Sequence, residues 1–324
     1  MLRDIRAVKG SRSPVRTEQQ ALKTSLVGIL IVAALGIGFG IFSGSFAILF
    51  DGVFSLVDAV MSIVSITVAG LIAKSVSNGL SRRTQNRFTM GFWHFEPIVL
   101  AVNALLMMSV AAYALFQAIS ALLTGGREVE FGAAVIYAAV VVVLTFAIGF
   151  IEHRANKRIR SALVAIDVKG WIMAGGVTGA LLIAFLIGMI IEGTEAAWAM
   201  PYVDPAVLTV VALLLLPVPF STLRQSLAEI SLITPPELKA RAEKTAGSIA
   251  ESEGFTDYRV YASQQGRART IDVVLYVPAG LPPRPLEDWD RIRDQVRTEL
   301  GGDDPHSWIT VSFTTKVPPG PPHD

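Results

Sequence analysis

Carboxyl side chains recur inside long apolar stretches of this sequence. Asp51 and Asp58 lie seven residues apart in one such stretch, and Asp167 lies near the start of another. In a helix, a separation of seven places two side chains on one stripe, so Asp51 and Asp58 share a face. An ionisable group within a membrane-spanning helix is costly and is a functional candidate by default. These three residues are therefore the candidates for binding a cation or carrying a proton, with Asp58 the strongest.

Other polar side chains near the ends of apolar stretches are supporting candidates, and each also has a structural interpretation. Asp204, followed by Pro205, is typical of a helix N-cap. Asp167 is also expected to pair with Lys169 or a neighbouring helix, or to reach the membrane interface. His94 and Glu96 more often act as interfacial hydrogen-bond and ion-pair anchors than as ligands. The supporting candidates are Asn103, His94, Glu96 and Asp204.

The composition indicates a membrane protein. Of 324 residues, 52% are hydrophobic and 17% are charged, whereas soluble domains have about 25% charged residues. The absence of cysteine excludes disulfides, thiolate metal sites and cysteine nucleophiles. A balance of 28 Lys+Arg against 27 Asp+Glu gives no reason to expect a nucleic-acid partner. No nucleophile–base pair, Gly-rich phosphate loop or paired catalytic carboxylates are recognisable, so we do not expect an enzyme.

Six apolar stretches are long enough to cross a bilayer, which takes about 20 residues of helix. The predicted fold is therefore an α-helical membrane protein with six transmembrane helices and a small cytoplasmic α+β domain. Residues 1–21 form a basic cytoplasmic tail, residues 22–234 the transmembrane domain, residues 235–316 the α+β domain and residues 317–324 a disordered tail. The predicted spans are Leu22–Phe42, Phe46–Ile72, Pro97–Leu123, Gly132–Ile151, Val164–Ile191 and Val203–Leu223.

Basic residues predict the orientation, because cytoplasmic loops carry an excess of Lys and Arg. The connections after the first, third and fifth spans are short and almost free of Lys and Arg. The N-terminal tail and the connections after the second and fourth spans are basic. Both termini are therefore predicted to lie in the cytoplasm, in a multi-pass protein of the inner or plasma membrane. The basic residues are Arg3, Arg6, Lys9, Arg12, Arg16, Lys23, Lys74, Arg82, Arg83, Arg87, Arg154, Lys157, Arg158 and Arg160.

The sequence changes character after Pro235. Good helix formers are followed by two alternating segments that are typical of a β-hairpin, with its turn at residues 264–267. A second amphipathic helix and a final strand complete an α-β-β-α-β order. A unit of about 80 residues is near the lower limit for independent folding, so an oligomer is expected. The predicted elements are residues 237–253, 258–263, 269–277, 285–300 and 307–315.

Four local motifs follow one another in order. The second span contains Ser45-Phe-Ala-Ile-Leu-Phe-Asp51-Gly-Val-Phe54-Ser-Leu-Val-Asp58, and Gly91-Phe-Trp-His-Phe-Glu96-Pro leads into the third. Asp204-Pro205 opens the sixth span, and Pro235-Pro236-Glu237 opens the C-terminal domain. Together with the six spans and the α-β-β-α-β unit, these motifs resemble the cation diffusion facilitator (cation efflux) family. The resemblance covers nearly the whole chain, from about residue 22 to residue 315.

The resemblance implies a homodimer, joined through the cytoplasmic domain, that exports a divalent metal cation in exchange for protons. It implies no covalently bound cofactor. The family's transport site has two side chains from the second span and two from the fifth, usually His and Asp, which suit zinc and related ions. Asp58 matches one of these positions, but Phe54, Gly170 and Ala174 occupy the other three. The chain therefore resembles a divergent member that lacks most of the usual metal ligands.

These departures leave several functions open. The preferred prediction is a secondary transporter that exports a divalent metal cation from the cytoplasm by proton antiport, with the cation unspecified. In one alternative, an all-oxygen site of Asp51, Asp58 and Asp167, supplemented by Asn103, carries a monovalent cation or a harder one such as Mn²⁺ or Mg²⁺. In another alternative, the chain is a non-transporting membrane scaffold or sensor.

Overall fold

The computed structural model describes residues 14–76, 79, 81–159, 162–304 and 306–316. Most of the predicted basic tail and the predicted disordered tail at residues 317–324 lie outside these ranges. The chain divides into two compact units, one of Met1–Val64 with Asn103–Ser221 and one of Ser65–Val102 with Thr222–Asp324. This division runs through three helices, Phe46–Val76, Phe95–Leu123 and Val218–Ile230. The domain boundaries predicted from composition, near residues 22, 235 and 317, stay predictions.

Eight α-helices precede the C-terminal domain in the described part of the chain. Six segments there are long and apolar enough to cross a membrane, which confirms the six predicted spans and makes this a multi-pass membrane protein. A short 3₁₀ turn at Ala197–Ala199 leads into the seventh helix. The helices are α1 Pro14–Ser43, α2 Phe46–Val76, α3 Arg82–Arg87, α4 Phe95–Leu123, α5 Phe131–Ile159, α6 Ala162–Ile191, α7 Met200–Leu215 and α8 Val218–Ile230.

The fourth and sixth spans differ most from the prediction at their ends. Helix α5 continues past the predicted end at Ile151 to Ile159. Lys157 and Arg158 lie in its last turn, where positive charge interacts favourably with the helix dipole. The sixth span consists of two helices, α7 and α8, which are separated at Pro217. Proline has no amide proton to continue the helical hydrogen bonds, so the helix is interrupted there.

The first unit has a core formed by side chains from several helices. Its largest fully buried residues include Ile48, Tyr137, Leu181, Phe185 and Leu208. Many large apolar side chains on the same helices are exposed instead. Apolar residues both inside and outside are typical of helices that pack together and also face lipid.

Helices α1 and α2 approach each other closely where two glycines meet. A Cβ atom built on Gly36 would lie 2.5 Å from the Cα of Gly52, and one built on Gly52 would lie 2.4 Å from the backbone nitrogen of Ile37. No side chain fits between the two backbones at this point. Small residues at helix crossings permit such an approach in membrane proteins.

The C-terminal domain has the predicted α-β-β-α-β order. Its elements are α9 Pro236–Glu253, β1 Asp257–Gln265, β2 Ala268–Tyr276, α10 Leu286–Leu300 and β3 Ser307–Thr314. The sheet order is β1-β2-β3, with β1 and β2 antiparallel and β2 and β3 parallel. Both helices pack against the sheet and share with it a core that includes Ile249, Ile271, Leu275 and Ile292.

Candidate functional site

Two of the predicted acidic residues interact inside the first unit. Asp58 lies within α2, and Asp167 lies in the second turn of α6. Both side chains are half-buried, and the two carboxyl groups interact electrostatically. The ion pairs of the described residues include none between Asp167 and Lys169, whose side chain is exposed. The structure thus places Asp58 and Asp167 together without a counter-charge from Lys169.

Glu152 of α5 joins this site, although sequence reasoning missed it. Its side chain is only 2% exposed, and its carboxyl group interacts directly with that of Asp167. The predicted fourth span ended at Ile151, one residue before Glu152, because the following residues are polar and basic. The signal that was available is an acidic residue directly after an apolar run, ahead of the basic residues typical of a helix C-terminus.

Asp51 has a hydrogen-bond partner of its own. The hydroxyl group of Tyr137 on α5 donates to Asp51 Oδ2 at 2.7 Å. Asp51 also lines a small cavity of about 20 Å³, together with Phe54, Leu181 and Leu208, which is room for about one water molecule. Asp51 therefore lies in a largely apolar pocket and is fixed by Tyr137.

The other three positions of the family's transport site carry no metal-binding side chain. The ring of Phe54 lies 5.6 Å from that of Phe50, centroid to centroid, and contacts the apolar core. Gly170 and Ala174 lie on an exposed face of α6. No group of three or more His, Cys, Asp or Glu side chains in the described part of the chain is arranged to hold a metal ion. A tetrahedral nitrogen-and-oxygen site of the zinc type is therefore not formed by these residues.

Asp204 binds the N-terminus of another helix. Its carboxylate accepts hydrogen bonds from the Ser45 hydroxyl at 2.5 Å and from the backbone amides of Phe46 at 3.1 Å and Ala47 at 3.3 Å. Phe46 is the first residue of α2, and free amides at a helix start need such acceptors. The prediction that Asp204 caps its own helix is wrong, because α7 begins earlier, at Met200, after the cap residue Ala199.

The other supporting candidates have different surroundings. In the second unit, Glu96 forms an ion pair with Arg267, with Oε1 3.4 Å from Nε, and accepts a hydrogen bond from the Arg267 amide at 3.3 Å. The ring of His94 lies 4.5 Å from that of Phe95. In the first unit, Asn103 Oδ1 is buried without a hydrogen-bond partner among the described residues. Glu96 thus acts as an ion-pair anchor, and Asn103 has an oxygen available for another group.

Comparisons with known proteins agree with this architecture. Residues 22–231 match the model of the cation efflux transmembrane domain. Over 261 residues, the chain is 27% identical to the metal cation efflux system protein CzcD of Cupriavidus metallidurans, covering 77% of this chain and 73% of the relative. It has the same identity and coverage with the cation efflux system protein CzcD of an Alcaligenes species. Because the matched domain spans more than half of the chain, the chain belongs to the cation efflux family, also called the cation diffusion facilitators.

Proposed function

We propose that this protein is a secondary transporter that exports a divalent metal cation from the cytoplasm. The observation that carries the proposal is the pair of Asp58 and Asp167, two interacting carboxyl groups from different helices of the membrane bundle. Carboxylates that are held at membrane depth and that form no ion pair within the described part of the chain provide negative charge for a passing cation. Family membership and the two relatives named for metal cation efflux support the same function.

Proton antiport is the coupling that we propose. A carboxyl group must lose its proton before it coordinates a metal ion, so cation binding releases protons from the site. Asp58 would bind the cation when deprotonated and carry a proton when the cation has left. Alternating exposure of this residue to the two sides of the membrane would then exchange one ion for the other.

The proposed setting is a homodimer in the inner or plasma membrane, with both termini in the cytoplasm. The basic connections between the second and third spans and between the fourth and fifth spans support this orientation. The C-terminal domain would hold the two subunits together, since a three-stranded sheet with two helices is a small unit to fold alone.

The direct test uses the purified protein in proteoliposomes. Influx of Zn²⁺, Mn²⁺, Mg²⁺ or Co²⁺ is followed with a metal-sensitive dye inside the vesicles, and proton release is followed with a pH-sensitive dye. We expect flux of at least one cation, opposite proton movement, and loss of both in Asp58→Asn. Glu195→Gln is the matched control, because Glu195 is an exposed acid in the turn after α6. An intact dimer that moves none of these cations would instead support a membrane scaffold.

A further inference from the structure

Glu152 is a buried acid that forms no ion pair with any residue that the structure describes. Its side chain is 2% exposed, and neither Oε1 nor Oε2 has a hydrogen-bond partner among the described residues. The ion pairs within those residues do not include Glu152 either. A buried carboxylate is costly unless a positive charge or hydrogen-bond donors compensate it. A positive charge, which the described residues do not provide, would therefore stabilise the ionised form of this group.

The Glu152 carboxyl group interacts with a second carboxyl group, which has one unpaired buried oxygen. Glu152 and Asp167 interact directly across α5 and α6, which pack against each other. Asp167 Oδ2 is also buried without a hydrogen-bond partner in the described part of the chain. Asp58 of α2 also interacts electrostatically with Asp167. Three helices therefore direct acidic side chains towards one region.

We propose that Glu152 and Asp167 bind a hard divalent cation, Mn²⁺ or Mg²⁺, as a carboxylate pair at the mouth of the pathway to Asp58. This inference rests on the proposed transport function and names its substrate class. With the proposed orientation, Glu152 lies near the cytoplasmic end of α5 and Asp167 near the cytoplasmic start of α6. A cation leaving the cytoplasm meets this pair before Asp58, which lies in the middle of α2.

The ligand chemistry selects the class of cation. Among the described residues the site offers oxygen atoms and no nitrogen or sulfur ligand, since the chain has no cysteine and the His153 side chain beside Glu152 is exposed. Mn²⁺ and Mg²⁺ favour oxygen ligands, and Mg²⁺ is commonly held by one or two carboxylates with several water molecules retained. Two carboxylates with water completing the shell match this requirement. Zinc favours nitrogen and sulfur ligands, which this pair lacks.

The nearby polar contacts hold the pair in place rather than neutralise it. The indole Nε1 of Trp171, one turn after Asp167, donates to Ser25 Oγ of α1 at 2.8 Å. The Ser25 hydroxyl in turn lies close enough to interact with Glu152. Trp171 and Ser25 are both buried. A neutral hydroxyl and an indole fix helix positions, but they leave the negative charge for a cation.

The test measures Mn²⁺ binding to the full-length protein in nanodiscs, from the loss of the electron paramagnetic resonance signal of free Mn²⁺. We expect Glu152→Gln and Asp167→Asn to raise the Kd at least about tenfold, and Glu195→Gln to bind like the native protein. Mg²⁺ is expected to compete for the site. Glu152→Asp, which keeps the carboxylate, is expected to bind more tightly than Glu152→Gln.

Cation-dependent thermal unfolding separates a binding role from a structural one. Without cation, Glu152→Gln is expected to unfold at or above the native temperature, because one of two facing carboxyl groups has been neutralised. Mn²⁺ should then raise the unfolding temperature of the native protein more than that of the variant. A Glu152→Gln variant that is destabilised without cation, yet keeps the native Kd, shows a structural role and overturns the inference.

The outcomes also separate this inference from the proposed function. If the native protein transports a divalent cation and Glu152→Gln binds Mn²⁺ with the native Kd, the inference fails and the transport function stands. If the native protein transports only Zn²⁺ or Co²⁺ and binds no Mn²⁺, the inference of a hard cation is wrong. The proposed transport of a divalent cation then still stands. If it moves none of these cations, the proposed function fails, and the inference fails with it.

Discussion

Replacing Asp204 should destabilise the fold without altering any cation ligand. Asp204 is 1% exposed and accepts hydrogen bonds from Ser45 and from the amides of Phe46 and Ala47. Asp204→Ala leaves these donors at the start of α2 without an acceptor, and a buried unsatisfied donor costs about 1–3 kcal/mol. Loss of a helix cap alone costs about 1 kcal/mol. Because the Phe46 amide is only partly buried, we expect a loss of about 2–5 kcal/mol in the free energy of unfolding.

Equilibrium unfolding in mixed micelles, titrated with sodium dodecyl sulfate, measures this loss. Asp204→Asn is the control, because its amide oxygen still accepts a hydrogen bond and should retain at least half of the lost stability. Cation binding by the folded fraction of both variants is expected to equal that of the native protein. The reasoning is refuted if Asp204→Ala unfolds like the native protein, or if it stays stable and loses cation binding. The second result would make Asp204 a ligand rather than a cap.

Two further predictions concern packing around the site. Tyr137→Phe removes the donor to Asp51 and should lower the free energy of unfolding by about 1–3 kcal/mol; an unchanged value would mean that this hydrogen bond contributes nothing to stability. Gly36→Ala places a Cβ against Gly52 and should cost about 1–3 kcal/mol. Gly38→Ala, where a Cβ meets nothing within 4 Å, is the control and should be neutral or stabilising. Equal effects at the two glycines would contradict the close helix crossing. All three variants are measured by the same micelle titration.

The spans and the C-terminal domain were predictable because their signals are local. A run of about 20 apolar residues indicates a spanning helix wherever the helix packs. Alternation and turn residues similarly predicted the β-hairpin, whose turn forms at Gly266 with a φ of 58°. The residues at which the helices end were less predictable. Helix α5 continues to Ile159 through a polar and basic stretch that suggested a loop, which is why Glu152 was missed.

The site itself depends on contacts that the sequence does not encode locally. Asp204 lies 159 residues from Ser45, its hydrogen-bond donor, so the Asp-Pro pattern indicated a cap on the wrong helix. Gly170 and Ala174 match ligand positions by spacing, yet they lie on an exposed face of α6. The interaction of Glu152 with Asp167 follows from the packing of α5 against α6. Spacing predicted which helices carry acidic residues, but not which carboxyl groups meet.

The most direct test of the central claim is cation flux through Asp58→Asn in proteoliposomes. The substitution keeps the size of the side chain and removes its charge, so the fold should be preserved. We expect the initial rate of divalent cation uptake to fall to that of protein-free vesicles, while Glu195→Gln keeps the native rate. Native flux through a correctly folded Asp58→Asn protein would contradict the claim that a carboxylate at membrane depth binds the transported cation.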